Sequence, residues 1–112
     1  MHEMAITESL VEIALVEARK ADAKRITAIH LKIGALTGIV ADSVSFYMDL
    51  VAKGTLAEGA RLVTTVLPVT AHCPDCGHDF AVEDMVFLCP KCGGPGQILT
   101  GRELLIESLE IE

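Results

Sequence analysis

The stretch CPDCGHDFAVEDMVFLCPKCG occupies residues 73–93 and decides how the second half of the chain folds. It contains two C-P-x-C-G units, and each C-x-x-C turn brings two sulfur atoms toward one point. The glycine that ends each unit, Gly77 or Gly93, can adopt positive φ without steric cost, which lets backbone N–H groups point at the sulfurs. Four sulfurs at one point form a soft tetrahedral site. We therefore predict that zinc is bound by Cys73, Cys76, Cys89 and Cys92.

The predicted zinc site is closed, because protein sulfurs fill all four coordination positions. A closed site is structural and leaves no position for a reacting water. In a reducing cytosol such a cluster favours a metal over two disulfides. Two alternatives stay open: iron in a rubredoxin-like site, which uses very similar turns, and a pair of dithiol redox centres. We expect residues 69–98 to form a zinc-binding module that needs its metal to fold.

Two histidines, His72 and His78, flank the first C-x-x-C unit. We interpret both as solvated loop histidines. The alternative is that one or both replace a thiolate when conditions change. Histidine titrates near physiological pH, so such an exchange would be sensitive to pH.

Two segments outside the module have helical patterns. From about Met4 to Ala21 apolar residues recur at spacings of three and four, which predicts a helix that buries Leu10, Ile13, Ala14, Ala18 and Ala21. A second helix is predicted over 42–53, with Asp42 or Ser43 as its N-cap and Gly54 at its end. Its buried stripe is predicted to contain Val44, Tyr47 or Met48, and Val51, widened by Phe46 and Leu50.

Three further segments, 25–34, 61–67 and 103–111, have strand patterns. In the first, Ile29, Leu31 and Ile33 alternate with His30 and Lys32, which predicts one buried face and places His30 on the other. The first two strands are joined through a helix and should run parallel. We predict an α+β fold with two helices on a small three-stranded mixed sheet. The zinc-ribbon-like module is inserted before the last strand, so residues 1–68 and 99–112 form the body.

Composition and charge exclude several classes of function. The 112 residues are 51% hydrophobic and 22% charged, which is typical of a folded domain. The net charge of -7 disfavours binding to nucleic acid or to anionic membranes. No apolar run approaches the ~20 residues that span a bilayer, and the first residues do not resemble a secretory signal. We expect a cytoplasmic protein with neither nucleic-acid nor membrane partners.

The first three residues, Met1, His2 and Glu3, form a second candidate metal site. The α-amine, the His2 amide nitrogen and His2 Nδ1 can chelate one metal through small rings. Nitrogen donors in a plane suit Ni(II) or Cu(II), and Glu3 could add its amide or its carboxylate. On its own this pattern is weak, because many proteins have histidine at position two by chance.

Several motifs together make the chain resemble the HypA/HybF family of nickel-insertion proteins. These motifs are MHE at residues 1–3, an amphipathic helix, LKIGALTGI at 31–39, GTLAEGARL at 54–62 and the two C-P-x-C-G units. The resemblance extends over essentially the whole chain and implies a nickel metallochaperone for [NiFe] hydrogenase maturation. It implies that His2 binds nickel, helped by the N-terminal amine, nearby backbone amides and the adjacent Glu3, and that the four cysteines bind zinc. The implied partners are a nickel-handling accessory GTPase and the hydrogenase large-subunit precursor.

Two other classes of function are alternatives to nickel carriage. A zinc-ribbon adapter that binds protein without carrying nickel is the main alternative, and only dependence on His2 separates the two. A small metalloenzyme is disfavoured, because the cysteine site leaves no open position. The sequence also lacks a P-loop or a Ser/His/Asp set, so we predict that the protein is not an enzyme.

Overall fold

The computed structural model describes residues 3–112. These residues form two helices and six strands, and the strands form two separate sheets. The helices are α1 (Glu3–Lys20) and α2 (Ala41–Val51), and a short 3-10 turn covers Ala35–Thr37. The strands are β1 (Ile26–Gly34), β2 (Arg61–Leu67), β3 (Thr70–His72), β4 (Asp79–Ala81), β5 (Gln97–Thr100) and β6 (Leu104–Ile111). Within these residues no helix is both long and apolar enough to cross a membrane.

The first sheet has the strand order β2-β1-β6, with β1 parallel to β2 and antiparallel to β6. This is the mixed three-stranded sheet that the sequence predicts, and the parallel pairing of β1 and β2 is confirmed. The strand β1 is central and buries Ile29, Leu31 and Ile33. Side chains of α1 and α2 pack in the same apolar clusters as these residues, so the helices cover that face of the sheet.

The opposite face of the first sheet is polar and carries ion pairs. His30 Nε2 lies 2.6 Å from a carboxylate oxygen of Glu110, and Lys32 Nζ lies 2.6 Å from a carboxylate oxygen of Glu107. His30 is therefore a second-face histidine, as predicted from the alternation in β1.

The buried face of α1 differs in part from the prediction. Its buried residues are Thr7, Val11, Ala14, Leu15 and Ala18, so Ala14 and Ala18 are confirmed. The predicted Ile13 is 53% exposed and Ala21 is also exposed. The buried face is rotated around the helix axis relative to the predicted one, because it includes Thr7. The Thr7 hydroxyl donates a hydrogen bond to the Glu3 carbonyl at 2.7 Å, which permits burial of this polar side chain.

The helix α2 buries Val44 and Met48, but Phe46 and Leu50 are exposed and do not widen its stripe. Its N-cap is Val40, not Asp42 or Ser43, and Val40 has no side-chain oxygen with which to cap the helix. The helix ends at Val51, three residues before Gly54. A side chain from α1, that of Glu3, contacts the start of α2 instead.

The second sheet has the strand order β4-β3-β5 and lies around the cysteines. All three strands of this sheet are short, and β3 pairs antiparallel with both β4 and β5. Its core is small and consists of Ala71, Cys73, Phe80 and Cys89, with Val82 packed against it. Two of those four core residues are predicted zinc ligands.

The two sheets meet where Gly34, at the end of β1, contacts Gly101, between β5 and β6. A Cβ atom added at Gly34 would lie 2.2 Å from the backbone carbonyl of Gly101. The contact is fixed by two backbone hydrogen bonds of 2.7 Å, from Gly34 N–H to Glu103 and from Leu36 N–H to Gly101. Only glycine at position 34 permits this approach of two backbones.

We expect Gly34→Ala to destabilise the protein by roughly 3 kcal/mol, at the upper end of overpacking costs, because backbone atoms cannot move aside as a flexible side chain can. Gly38→Ala is the matched control: Gly38 has φ of 72° but open space around it, so it should cost only about 1–2 kcal/mol. Urea denaturation measures both free energies of unfolding. Equal losses in the two variants would contradict the role assigned to the Gly34–Gly101 contact.

The ion pair on the open sheet face gives a prediction for pH. The hydrogen bond from His30 lowers the pKa of the Glu110 carboxyl, although partial burial acts in the opposite direction. A folded-state pKa below the unfolded value means that the contact stabilises the fold above the ordinary carboxyl pKa. This stabilisation is lost as the pH falls through the lower, folded value.

Replacing His30 with glutamine should therefore raise the pKa of Glu110 toward its ordinary value. A carboxyl ¹³C NMR titration measures this change. The control Lys32→Gln removes a cation that pairs with Glu107 instead, and should leave the Glu110 titration unchanged. If Glu110 titrates identically in His30→Gln and wild type, the histidine is not the cause of the lowered pKa.

Candidate metal centre

The four cysteine sulfurs come together at one point. All four Sγ atoms lie within 4.8 Å of one another, and they form the one group of potential ligands of this kind found among residues 3–112. Cys73 and Cys92 sulfurs are 3.4 Å apart, and Cys76 and Cys89 sulfurs are 3.6 Å apart. A tetrahedron with Zn–S bonds of ~2.3 Å has S···S edges of roughly 3.8 Å. The sulfur positions therefore fit a tetrahedral four-thiolate zinc site.

The same sulfur distances exclude disulfides in this structure, because a disulfide joins its sulfurs at ~2.05 Å. All four cysteines are free thiols. Cys73 and Cys89 are buried, whereas Cys76 and Cys92 are exposed. Each C-x-x-C unit thus contributes one inner and one outer sulfur, and the outer pair closes the site toward solvent.

The two C-x-x-C units fold in the same way. Gly77 N–H donates to the Cys73 carbonyl and Gly93 N–H donates to the Cys89 carbonyl, both at 2.8 Å, and both glycines have φ of 76°. The first cysteine of each unit closes a second ring: Cys73 N–H donates to His78 and Cys89 N–H donates to Gly94. Positive φ at these two glycines was predicted from the sequence and allows each chain to turn back past its own sulfurs.

The electrostatics of the centre favour thiolate at Cys89 but not at Cys92, where the effect of the Gly94 N–H is outweighed by the neighbouring thiols and by burial, which raise the pKa to about 12. Burial raises the pKa of Cys89, but backbone N–H groups of Cys92 and Lys91 and the neighbouring thiols outweigh this effect and lower it to about 7. Gly94 N–H also points at the Cys92 sulfur, at 3.4 Å. These amides partly offset the charge of deprotonated sulfur, which is the form that binds metal.

The backbone around the second unit is packed too closely for side chains. A Cβ atom on Gly94 would lie 2.6 Å from an Asp75 carboxylate oxygen, and one on Gly96 would lie 2.6 Å from the ring of Phe80. Gly96 N–H also donates to the Phe87 carbonyl at 2.7 Å. The GGPG segment at 93–96 therefore serves to bring the second unit against the first.

The two flanking histidines lie outside the four-sulfur group. His72 is in the strand β3, not in a loop, and its Nδ1 forms a 2.5 Å hydrogen bond with the Asp79 carboxylate. His78 lies between the first unit and β4, and its ring stacks on Phe80 with centroids 6.4 Å apart. Both side chains thus have packing or hydrogen-bonding partners of their own. The exchange of either for a thiolate stays a hypothesis.

Of the predicted nickel residues, Met1 and His2 lie outside the described residues. Glu3 is the first residue of α1, and its carboxylate accepts a hydrogen bond of 3.0 Å from the Val40 N–H at the start of α2. Sequence reasoning missed this contact, since residues 3 and 40 are far apart in the chain and Val40 has no functional group. No signal in the sequence indicated it, because Asp42 and Ser43 offer ordinary N-cap residues for this helix.

Comparison with known proteins identifies the class of protein. Residues 1–111 match a family described as "Hydrogenase/urease nickel incorporation, metallochaperone, hypA". The chain is 41% identical to the hydrogenase maturation factor HypA of Caldanaerobacter subterraneus subsp. tengcongensis, over 100% of both chains. It is 44% identical to HypA of Chloroflexus aurantiacus, over 98% of each chain. The solution structure of the Ni metallochaperone HypA from Helicobacter pylori matches with a TM-score of 0.72 at 25% identity and covers 99% of this chain and 97% of that one.

A four-sulfur centre inserted into a small α+β body, together with these matches, defines a metallochaperone of metalloenzyme maturation. The chain belongs to the HypA family. It is a nickel metallochaperone for hydrogenase maturation with a structural zinc site, and it is a maturation factor, not an enzyme. The predicted family, fold class and absence of enzymatic activity are confirmed. The alternative of an adapter that does not carry nickel is not favoured.

Replacing Cys73 with serine should release the zinc, because the variant loses a buried thiolate and one corner of the tetrahedron. We expect zinc affinity to fall by more than the ~10–100-fold typical of losing an outer-shell partner. Competition with a chromophoric chelator measures it, and Co(II) substitution reports the number of thiolates. The control is Met85→Ala, since Met85 is 67% exposed in the loop between the units. Unchanged zinc affinity in Cys73→Ser would contradict the four-sulfur site.

Proposed function

We propose that this chain carries Ni(II) at its N-terminus and releases it by ligand exchange to partners in hydrogenase maturation. The nickel ligands come from Met1, through its α-amine, from His2, through its amide and Nδ1, and from the adjacent Glu3. Zinc is held separately by Cys73, Cys76, Cys89 and Cys92. The observation that carries the proposal is the match to the nickel-incorporation family over residues 1–111, which includes the MHE start.

The position of the nickel residues supports carriage rather than permanent storage. Glu3 is the first described residue and begins α1, whereas Met1 and His2 lie outside the described residues. A metal held by a chain terminus can pass to an incoming ligand one bond at a time. A fully enclosed site would require partial unfolding for the same transfer. The net charge of -7 also favours a cation near this protein.

The zinc site supports a structural role for the second half of the chain. Burial there involves only a four-residue core, so coordination by four sulfurs must supply much of the folding free energy. We propose residues 69–98 as the zinc-binding module and residues 1–68 with 99–112 as the nickel-binding body. The strand β5 links these parts, because both of its ends, Gln97 and Thr100, pair with β3 and the chain then reaches β6 at Leu104.

The partners we propose are a nickel-handling accessory GTPase and the hydrogenase large-subunit precursor, both met in the cytoplasm. Exposed apolar side chains provide surfaces for protein contacts. Phe46 and Leu50 lie one turn apart on α2 and are 62% and 48% exposed. The acidic surface disfavours nucleic acid as a competing partner. Contacts with proteins therefore fit the surface better than contacts with nucleic acid.

Nickel titration by calorimetry on untagged protein tests the N-terminal site. We expect about one nickel per chain for wild type, and loss of binding both in His2→Ala and in a variant with one residue added before Met1. The extended variant keeps every side chain but displaces the α-amine from the chelate ring. Zinc content, assayed in the same samples, should stay at one per chain because the cysteines are unchanged.

The variant Glu8→Ala is the control for the loss of one negative charge, because it removes an exposed carboxylate from α1. It should bind nickel as wild type does. Nickel binding that survives both N-terminal changes would contradict the proposed site. Nickel binding that disappears together with zinc would instead indicate that the cysteines had bound both metals.

A further inference from the structure

The side chain of Glu3 occupies the N-terminus of a helix to which it does not belong. Its Oε2 accepts a 3.0 Å hydrogen bond from Val40 N–H. Val40 is the N-cap of α2: its carbonyl accepts from Ser43 and Val44, and it provides no side-chain cap. The first amides of a helix lack intrahelical acceptors, and a carboxylate there also interacts favourably with the helix dipole. Glu3 therefore supplies the cap that the sequence of α2 lacks.

Glu3 is also held by its own backbone. The hydroxyl of Thr7 donates to the Glu3 carbonyl at 2.7 Å, and Thr7 is 1% exposed in the core of the body. The carbonyl and the carboxylate of Glu3 are thus fixed from two directions, one within α1 and one from α2. This arrangement fixes the position of Glu3 at the start of α1.

We propose that Glu3 is a positioning residue for the nickel site: its carboxylate stays on Val40 when nickel binds, and the metal takes nitrogen donors from residues 1–3. The inference rests on the proposed function and deepens it, because it distinguishes two roles of the Glu3 carboxylate in nickel binding: ligand of the metal or cap of α2. A carboxylate that moved to nickel would leave the start of α2 without its cap. A carboxylate that stays keeps the backbone of Glu3, including its amide, in one position at the start of α1.

The first test follows the Val40 amide in the full-length, zinc-loaded protein with its native N-terminus. Hydrogen exchange is measured by mass spectrometry with site-resolving fragmentation, before and after saturation with Ni(II). We expect the amide to be protected in both states of the wild type. Glu3→Ala should exchange about tenfold faster, as expected from loss of a helix cap. Glu3→Gln, whose amide oxygen can still accept the bond, should stay within about threefold of wild type.

The second test compares nickel binding in the same variants by calorimetry and by the ligand-field absorption of bound Ni(II). Glu3→Gln should keep both the affinity, within about threefold, and the spectrum of the wild type. Glu3→Ala should bind about tenfold more weakly with an unchanged spectrum, because the nitrogen donors are still present. The charge control is Glu8→Ala, which removes one carboxylate from the exposed face of α1 and should match wild type.

Two results would overturn the positioning role. Exposure of the Val40 amide on nickel loading would show that the carboxylate leaves the cap for the metal. A spectrum altered equally in Glu3→Gln and Glu3→Ala would identify the carboxylate as a ligand. Absence of nickel binding by the wild type would instead refute the proposed function, and the positioning role with it. The exchange of Val40 in nickel-free protein tests the cap independently of that outcome.

Discussion

The repulsion that four thiolates would experience without a metal is the constraint on which the second half of this molecule depends. Their sulfurs lie within 4.8 Å of one another, and charges this close in a partly buried site repel strongly. A divalent cation removes the repulsion and replaces it with four bonds. Because two of the four residues in the small core beneath the second sheet are themselves ligands, coordination and burial cannot be separated there.

The first half of the molecule is stabilised differently. Its central strand β1 pairs on both sides and presents Ile29, Leu31 and Ile33 to two helices. Burial of aliphatic side chains supplies its stability, and no ligand of the zinc site belongs to it. This division suits a carrier, because the core of the first half consists of aliphatic side chains and does not need a metal to fold. The loaded and empty states can then share one structure.

The sequence predicted those parts of the fold that depend on short-range patterns. The alternation of apolar and polar residues in β1 predicted its buried face, and the spacing of the cysteines predicted the metal centre. Each of these patterns can be recognised within a short stretch of sequence. The rotation of α1 was missed because a buried threonine, Thr7, replaces an aliphatic residue in the stripe. The exposure of Phe46 and Leu50 was missed since apolar character does not tell which side of a helix has a neighbour.

Sequence patterns could not predict contacts between residues that are far apart in the chain. The second sheet forms because β5, which follows the cysteines, returns to pair with β3, which precedes them. The cap of α2 is supplied from residue 3. The close approach of Gly34 to Gly101 involves two glycines 67 positions apart, each of which has an ordinary local explanation as a turn residue. Such contacts follow from the arrangement of the strands in the folded chain and not from the local sequence.

The place where the chain passes from the first sheet to the second and back determines which segment could be removed or exchanged. The chain leaves the first sheet at Pro68 and returns at Gly101, and the Thr100 hydroxyl donates to the Pro68 carbonyl at 2.7 Å. Entrance and exit of the intervening segment are therefore adjacent. A connection of a few residues that crosses the end of β1 could join the end of β2 to the start of β6, because these two strands flank β1. In evolutionary terms, the zinc-bearing segment has the geometry of an insertion, which a lineage could gain, enlarge or exchange while the body keeps its topology.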